Sequence, residues 1–315
     1  PITRAKVNSM GTPPPPPPPP PGPPPTPTVG TGLTVSGATQ PANSLAVFNS
    51  ARVPFTKFTL TAGSDGEVTV TGVTVERQGL AADANFTDFI LLDDMGQIMD
   101  IAKSFNSNHQ ATIGGTFKVP AGQSKTYTVA GNMSTAANVN SGEVGSLAVV
   151  AINTAATLSG SLPIVGASHT MNDTLTIGAV SNERGPLDPN AAQTKNVGTA
   201  GYTFSSVKIT AGSTEDIKIH SLRWNQASSA GSTDLENVKT KVDGTEYPTN
   251  ISSDGKYYLA SFGDGIKVAK GNAVEISINA DIVGGSGRTI AFNIEKTSDL
   301  YVTGETYKMG ITPPT

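Results

Sequence analysis

The sequence predicts an all-β protein built as two tandem antiparallel β-sandwiches, and three observations predict it. Apolar and polar residues alternate in short runs, as in Phe58-Thr59-Leu60-Thr61-Ala62 and Ile217-Lys218-Ile219-His220. Period two gives a strand one buried and one wet face. Gly, Pro, Asp and Asn separate these runs, and no stretch carries a convincing helical period, residues 93–105 being the one doubtful case. The third observation is a repeat: "FTKFTLTAGSDGEVTVTGVTVERQ" from Phe55 lines up with "FSSVKITAGSTEDIKIHSLRWNQ" from Phe204.

The repeat offset is 204 − 55 = 149. It also pairs Asp94 with Asp243, Gly114 with Gly263, and "KVPAG" at Lys118 with "KVAKG" at Lys267. An offset constant over this length implies two homologous globular modules rather than a solenoid. "GLTVSGA" at Gly32 matches "TLTIGAV" at Thr174, so the modules are set at residues 31–174 and 175–315. Phe55, Val68, Val70 and Val75 are expected in the core places of Phe204, Ile217, Ile219 and Trp224. In both copies the alternation slips by one residue, at Gly72 and Ser221, which predicts a β-bulge or a strand that switches sheets. Tyr127-Thr128-Val129 and Ile276-Ser277-Ile278 form another matched strand. Leu175 to Ile177 are expected to be strand already, and residues 177–193 an exposed loop beside the first module.

Ahead of the modules stands "TPPPPPPPPPGPPPTPT", with 13 of the 23 prolines. Proline fixes φ and removes the backbone donor. The segment therefore predicts a polyproline II linker over residues 12–30, with a reach of roughly 45–50 Å at about 3.1 Å per residue. A passive spacer is the plain reading, since no basic residues flank the run as a proline-recognising domain would require.

Composition narrows the function. Charged residues make up 15% and the net charge is −4, without a basic patch, so neither nucleic acid nor an anionic membrane surface is an expected partner. No run of about 18 apolar residues predicts a membrane span. There is no cysteine, which removes disulfides, thiol catalysis and Cys-based metal sites. A Thr/Ser/Ala/Val/Gly-rich, weakly charged chain reads as an extracellular β protein. Position 1 is Pro, and the chain is expected to start inside a longer one.

The pattern "LTVS…VPFTKFTLTAGSDGEVTVTGVTVERQG…FTDFILLDDMG…KVPAGQSKTYTVAGNMS" resembles tandem Ig-like modules of S-layer-like cell-surface proteins from candidate-phylum bacteria. The likeness spans most of residues 33–180 and, more weakly, the second copy. "PITRAKVNSM" is similar to the end of a type 1 peptidoglycan-binding domain, whose last helix follows Gly-x-Phe-Gly-Pro-x-Thr. Pro1, Thr3 and Val7 match, and Thr3 would cap a helix from Arg4. The resemblance implies a bacterial cell-surface or cell-wall location, two Ig-like sandwiches after a polyproline linker, and wall contact only through an upstream domain of which residues 1–11 are the remnant.

Chemistry-bearing residues are few. His109, His169 and His220 lack a His or Glu partner at i+2 or i+4, which argues against zinc. The glycine clusters lack the strand-to-helix context of a phosphate loop, and no Gly-x-Ser-x-Gly elbow precedes an acid and base. No enzymatic activity is expected. Asp83, Asp88, Asp93 and Asp94 cluster in copy one, and Asp243 is the counterpart of Asp94. Clustered loop carboxylates can hold calcium, and solvated turn aspartates are the other reading. Sequons stand at Asn85, Asn132, Asn172 and Asn250. The segment "GSLAVVAINTAATLSG" lacks edge-guarding lysines, so Leu147, Val149, Ile152 and Leu158 are expected to carry self-association with neighbouring subunits. The expected role is a structural, lattice-forming surface component; the alternative is an adhesin or appendage module that recognises a glycan or host surface.

Overall fold

The computed structural model describes residues 29–102, 104–252 and 254–314. The decapeptide at the N-terminus and the proline run through Thr28 lie outside the described residues. Val29 and Gly30, assigned to the linker, are already tied to the first unit: Val29 bridges Glu67, and the Gly30 N–H donates to the Glu67 carbonyl (2.8 Å).

The first unit contains β1 (Gly32–Gly37), β2 (Leu45–Val47), β3 (Ser50–Ala51), β4 (Val53–Ala62), β5 (Val68–Gly79), β6 (Phe86–Leu92) and β7 (Ile98–Ala102). They are followed by β8 (Gln110–Ile113), β9 (Phe117–Val119), β10 (Ser124–Met133), β11 (Val144–Thr154), β12 (Thr157–Gly160), β13 (Ile164–Val165) and β14 (His169–Asn172). The second contains β15 (Val180–Arg184), β16 (Tyr202–Ala211), β17 (Ile217–Ala227), β18 (Leu235–Val242) and β19 (Thr245–Ile251). After these come β20 (Tyr257–Val268), β21 (Ala273–Ile282), β22 (Ala291–Asn293), β23 (Leu300–Gly304) and β24 (Gly310–Ile311). Among the described residues, helical geometry is limited to 3-10 turns such as Asp83–Asn85 and its counterpart Ser232–Asp234.

One sheet of the first unit runs β12-β1-β4-β10-β6-β7; the facing sheet runs β2-β14-β11-β5-β8, with β13 on β11 and β9 on β5. Most pairs are antiparallel; β1 with β12 and β14 with β2 are parallel. The second unit repeats the first order as β15-β16-β21-β18-β19, and its facing sheet as β20-β17-β23, with β22 on β17. Strand β19 pairs with β18 through Thr245 to Pro248 and with β20 through Thr249 to Ile251, so it switches sheets midway.

The offset of 149 carries β4 onto β16 and β10 onto β21, end for end. Each unit has its own apolar core. Val68, Val70 and Val75 are buried in one; Ile217, Ile219 and Trp224 are buried in the other, Trp224 being 1% exposed. The bulge falls where the alternation slips. The β5–β11 ladder skips Thr71, and the β17–β20 and β17–β23 ladders skip His220, its counterpart. One extra residue at this point brings Val73 and Leu222 back to the core side.

Three expectations are corrected. Leu175 to Ile177 are not strand. The counterpart of β1 is β15, because Leu33 faces Ala62 while Val180 faces Ala211, the residue 149 further on. Part of the predicted loop is therefore strand, and residues 185–201 form the loop proper. Phe204 is half-buried, whereas Phe55 is fully buried. The self-association segment is internal. Leu147, Val149 and Ile152 lie on β11, paired with β5 on one side and with β13 and β14 on the other, and all three belong to the first core. Leu158, on the edge strand β12, is half-buried against the same core. A run without lysine here reflects burial on a central strand rather than an open edge.

Candidate functional site, the joint between the two units

The sheet of the second unit continues into the first. Strand β24 pairs antiparallel with β23 on one side and with β3 on the other, matching Gly310 with Ala51 and Ile311 with Ser50. A Cβ at Gly310 would lie against the Ala51 carbonyl, so glycine permits the close approach. Backbone pairing resists shear and twist better than side-chain contact alone, because each bond is short and directional.

Beside this ladder sits Arg52. Its backbone is left-handed (φ 53°), and its N–H donates to Asn132 Oδ1 (2.8 Å). Nη1 donates to the Gly96 carbonyl (3.0 Å) in the first unit, and Nη2 to the Ser298 carbonyl (2.9 Å) in the second. The guanidinium lies 4.2 Å from the centroid of the Tyr301 ring. Burial pulls its pKa down to about 10, which leaves it charged at neutral pH. His220 also packs on Tyr301, with ring centroids 4.7 Å apart, and its Nε2 meets Thr303 Oγ1 at 2.8 Å. Burial, and next Lys218, hold this imidazole below its usual 6.5.

The connector at residues 173–179 is irregular but anchored. Asn172 Oδ1 accepts from the N–H groups of Thr174 and Leu175 (3.2 and 2.8 Å). Glu215, 2% exposed, accepts from the Gly178 N–H (2.8 Å) and from the N–H groups of Thr306 and Tyr307 (2.7 and 3.1 Å). Three backbone donors converging on one buried carboxylate fix the chain on both sides of it. Between the units lies a cleft of about 600 Å³, with Phe48, Asn49, Asp88 and Asn132 on one wall and Thr176 and Thr297 on the other.

The carboxylates singled out for calcium do not meet at one point. Asp83 pairs with Arg77 and with His109 (2.8 Å to Nδ1). Despite the opposing cost of burial, the net effect of Arg77 and His109 holds its carboxyl below the usual range. Asp88 accepts from Asn132 Nδ2 (2.6 Å) in the joint. Asp93 caps its own turn by accepting from the N–H groups of Met95 and Gln97, and burial raises its pKa. Asp94 faces Lys125 at 3.6 Å. Asp243 accepts from the Glu275 N–H (3.1 Å) in the other unit. Among the described residues no three His, Asp or Glu side chains form a metal-binding group.

The histidines have structural partners. His169, 1% exposed, takes the Ser44 N–H on Nδ1 (3.1 Å), donates from Nε2 to the Pro54 carbonyl (2.9 Å), and packs edge-on against Phe55. Asn85 is buried and bound to Asn140 and Glu143, which closes that sequon. Among the described residues no helix is long and apolar enough to cross a membrane.

Arg52 and Glu215 were missed by sequence reasoning. The repeat carried a signal for both. At the offset of 149, Arg52 corresponds to Gly201, also left-handed (φ 61°), and Glu215 corresponds to Gly66. A bulky cation where the other copy uses the glycine such a backbone favours indicates a role for the side chain.

No protein-family model matches the chain, and no curated protein matches it. Among solved structures, an anti-sigma factor domain-containing protein overlaps 81% of this chain and 82% of its own, at 12% identity and a TM-score of 0.17. A putative membrane anchored protein from Corynebacterium diphtheriae overlaps 90% of this chain and 59% of its own, at 9% identity and a TM-score of 0.16. The CupB6 tip adhesin from Pseudomonas aeruginosa overlaps 90% of this chain and 98% of its own, at 9% identity and a TM-score of 0.16. Overlaps this slight carry no argument about role.

Proposed function

We propose that the chain is a non-catalytic structural segment of a bacterial cell-surface protein, a stiff two-sandwich spacer in a surface layer or envelope lattice. The observation that carries this reading is the joint, where β24 adds to β3 and Arg52 bonds both units across it. Two modules held by a backbone ladder, a buried cation and an anchored connector transmit position instead of swivelling on a tether. The resemblance to Ig-like modules and the proline-rich leader fit display away from a wall. Antibody labelling of intact cells, together with imaging of the envelope, tests the role. A dense, ordered surface array is expected; sparse labelling confined to appendage tips would overturn it. Small-angle scattering tests the stiffness, with a broad spread of interunit angles as the contrary result.

The adhesin reading has one observation in its favour, the interunit cleft with an aromatic ring beside amide and carboxylate groups. Saturable binding of a defined sugar, abolished by Asn49→Ala, would select it.

A further inference from the structure

The two sandwiches differ on one side, and the repeat shows what belongs there. In the first unit the chain leaves β11, lays β12 parallel to β1, crosses the open side of the sandwich, and pairs β13 with Ala148 and Val149. Leu158, Leu162 and Ile164 fill the gap between the sheets. The Ala167 N–H donates to the Phe55 carbonyl (2.7 Å), and His169 packs on the Phe55 ring. This crossing segment is why Phe55 is fully buried.

In the second unit the chain leaves β23, turns, and enters the joint as β24. Its last described residues reach β15, where Asn182 Nδ2 donates to the Pro314 carbonyl (2.8 Å). Beyond that point no strand among the described residues covers the side, and residues 188–192 of the loop line it. A groove of about 530 Å³ runs between β15 and β22, with Phe204, Trp224, Phe292 and Ile294 on its apolar part and Glu183, Arg184 and Asp188 at its polar margin. Phe204, the counterpart of Phe55, is half-buried there. Ala148 faces Glu76, and Asn293 faces Asn225, the residue 149 beyond Glu76. The groove wall is thus the strand that β13 covers in the first unit. Asn182 Oδ1, at the groove, is shielded from solvent and has no hydrogen-bond partner among the described residues.

We propose that this groove is an acceptor for an extended strand donated by another polypeptide, with the chemistry of residues 162–172 of this chain. The strands of residues 29–314 already have places in the sheets, so the occupant comes from outside them. It places apolar side chains where Ile164 and Met171 lie in the first unit, and is small where Gly166 and Ala167 pass the aromatic ring. Main-chain pairing along β22 supplies affinity, and the apolar positions supply register. Strand donation goes beyond the spacer reading and does not depend on it: the joint can be stiff with the groove empty, or the groove filled on a flexible pair.

The test uses the 315-residue chain and a synthetic peptide of residues 162–172, Leu-Pro-Ile-Val-Gly-Ala-Ser-His-Thr-Met-Asn. Trp224 is the single tryptophan and lies at the groove, so its emission reports occupancy. A saturable emission change is expected, with added hydrogen-exchange protection at β22. A peptide carrying Asp at the Ile164 and Met171 places should bind at least about tenfold more weakly, as should the Ile294→Lys protein. Where Ile294→Lys lowers the melting temperature, Asn293→Pro at an exposed edge position takes its place. Absence of saturation at millimolar peptide, or equal binding by the Asp-bearing peptide, overturns the proposal. So does refusal of the peptide by a chain extended past Thr315 that itself protects β22, which would assign the groove to a strand in cis.

Discussion

Replacing Arg52 with Ala should loosen the joint without unfolding either sandwich. The side chain gives two bonds from a charged donor to carbonyls on opposite units, each worth about 1.5–3 kcal/mol. It also lies over Tyr301, worth about 1–2 kcal/mol when desolvated. Against this stands the cost of burying the guanidinium, which pulls its pKa down to about 10. Losing the side chain should weaken the closed joint by at least about 1 kcal/mol, roughly fivefold or more in its population. The backbone offers an internal control. Arg52→Gly deletes the same side chain but relieves the left-handed φ of 53°, so it should be milder than Arg52→Ala by about 1 kcal/mol. Because the chain has no cysteine, spin labels can be placed on single introduced cysteines at the exposed positions Asn108 and Lys270. Wild type should give one narrow distance distribution and Arg52→Ala a broad one. An unchanged width in Arg52→Ala, together with an unchanged melting temperature, would refute the reasoning.

Three further outcomes follow from the same geometry. His220 has a folded-state pKa below 6.5; the unfolded chain therefore binds the proton more readily, so this contribution is complete above about pH 6.5 and is lost as pH falls below it, and His220→Gln should flatten the melting-temperature slope between pH 7.5 and 5.5. Glu215→Ala removes the acceptor of three N–H donors, the Gly178 one buried, and should cost about 2–3 kcal/mol, with Glu215→Gln milder by denaturant titration; equal losses would show that the acceptor is not what matters. Val149→Lys puts a cation into the first core and should unfold that unit while leaving Trp224 emission native-like; a folded variant altered only in self-association would restore the edge-strand reading of that segment.

The strands, the repeat and the bulge were legible in the sequence because each depends on local periodicity. Alternation at period two marks a buried face wherever it occurs, and a one-residue slip such as that at Gly72 and Ser221 is absorbed by a bulge or by a change of sheet, between which the ladders decide for the bulge. The offset of 149 then carried strand order from one unit to the other. What failed was whatever depends on which strand lies next to which. The segment holding Leu147 and Val149 has the same composition whether central or at an edge, and the neighbours β5, β13 and β14 come from distant sequence. The acidic cluster at Asp83, Asp88, Asp93 and Asp94 is compact in sequence but divided in space, because alternate residues of β6 point to opposite faces and the turns at its two ends lie a strand length apart. The joint was invisible for a further reason. A two-residue strand, a left-handed arginine and a buried glutamate carry no periodic signature, and their partners at Gly310, Ser298 and Thr306 lie far along the chain. Local sequence determined the two sandwiches; only the tertiary structure decided how the second one gives up β24 to hold the first, since that choice rests on backbone pairing across about 260 residues.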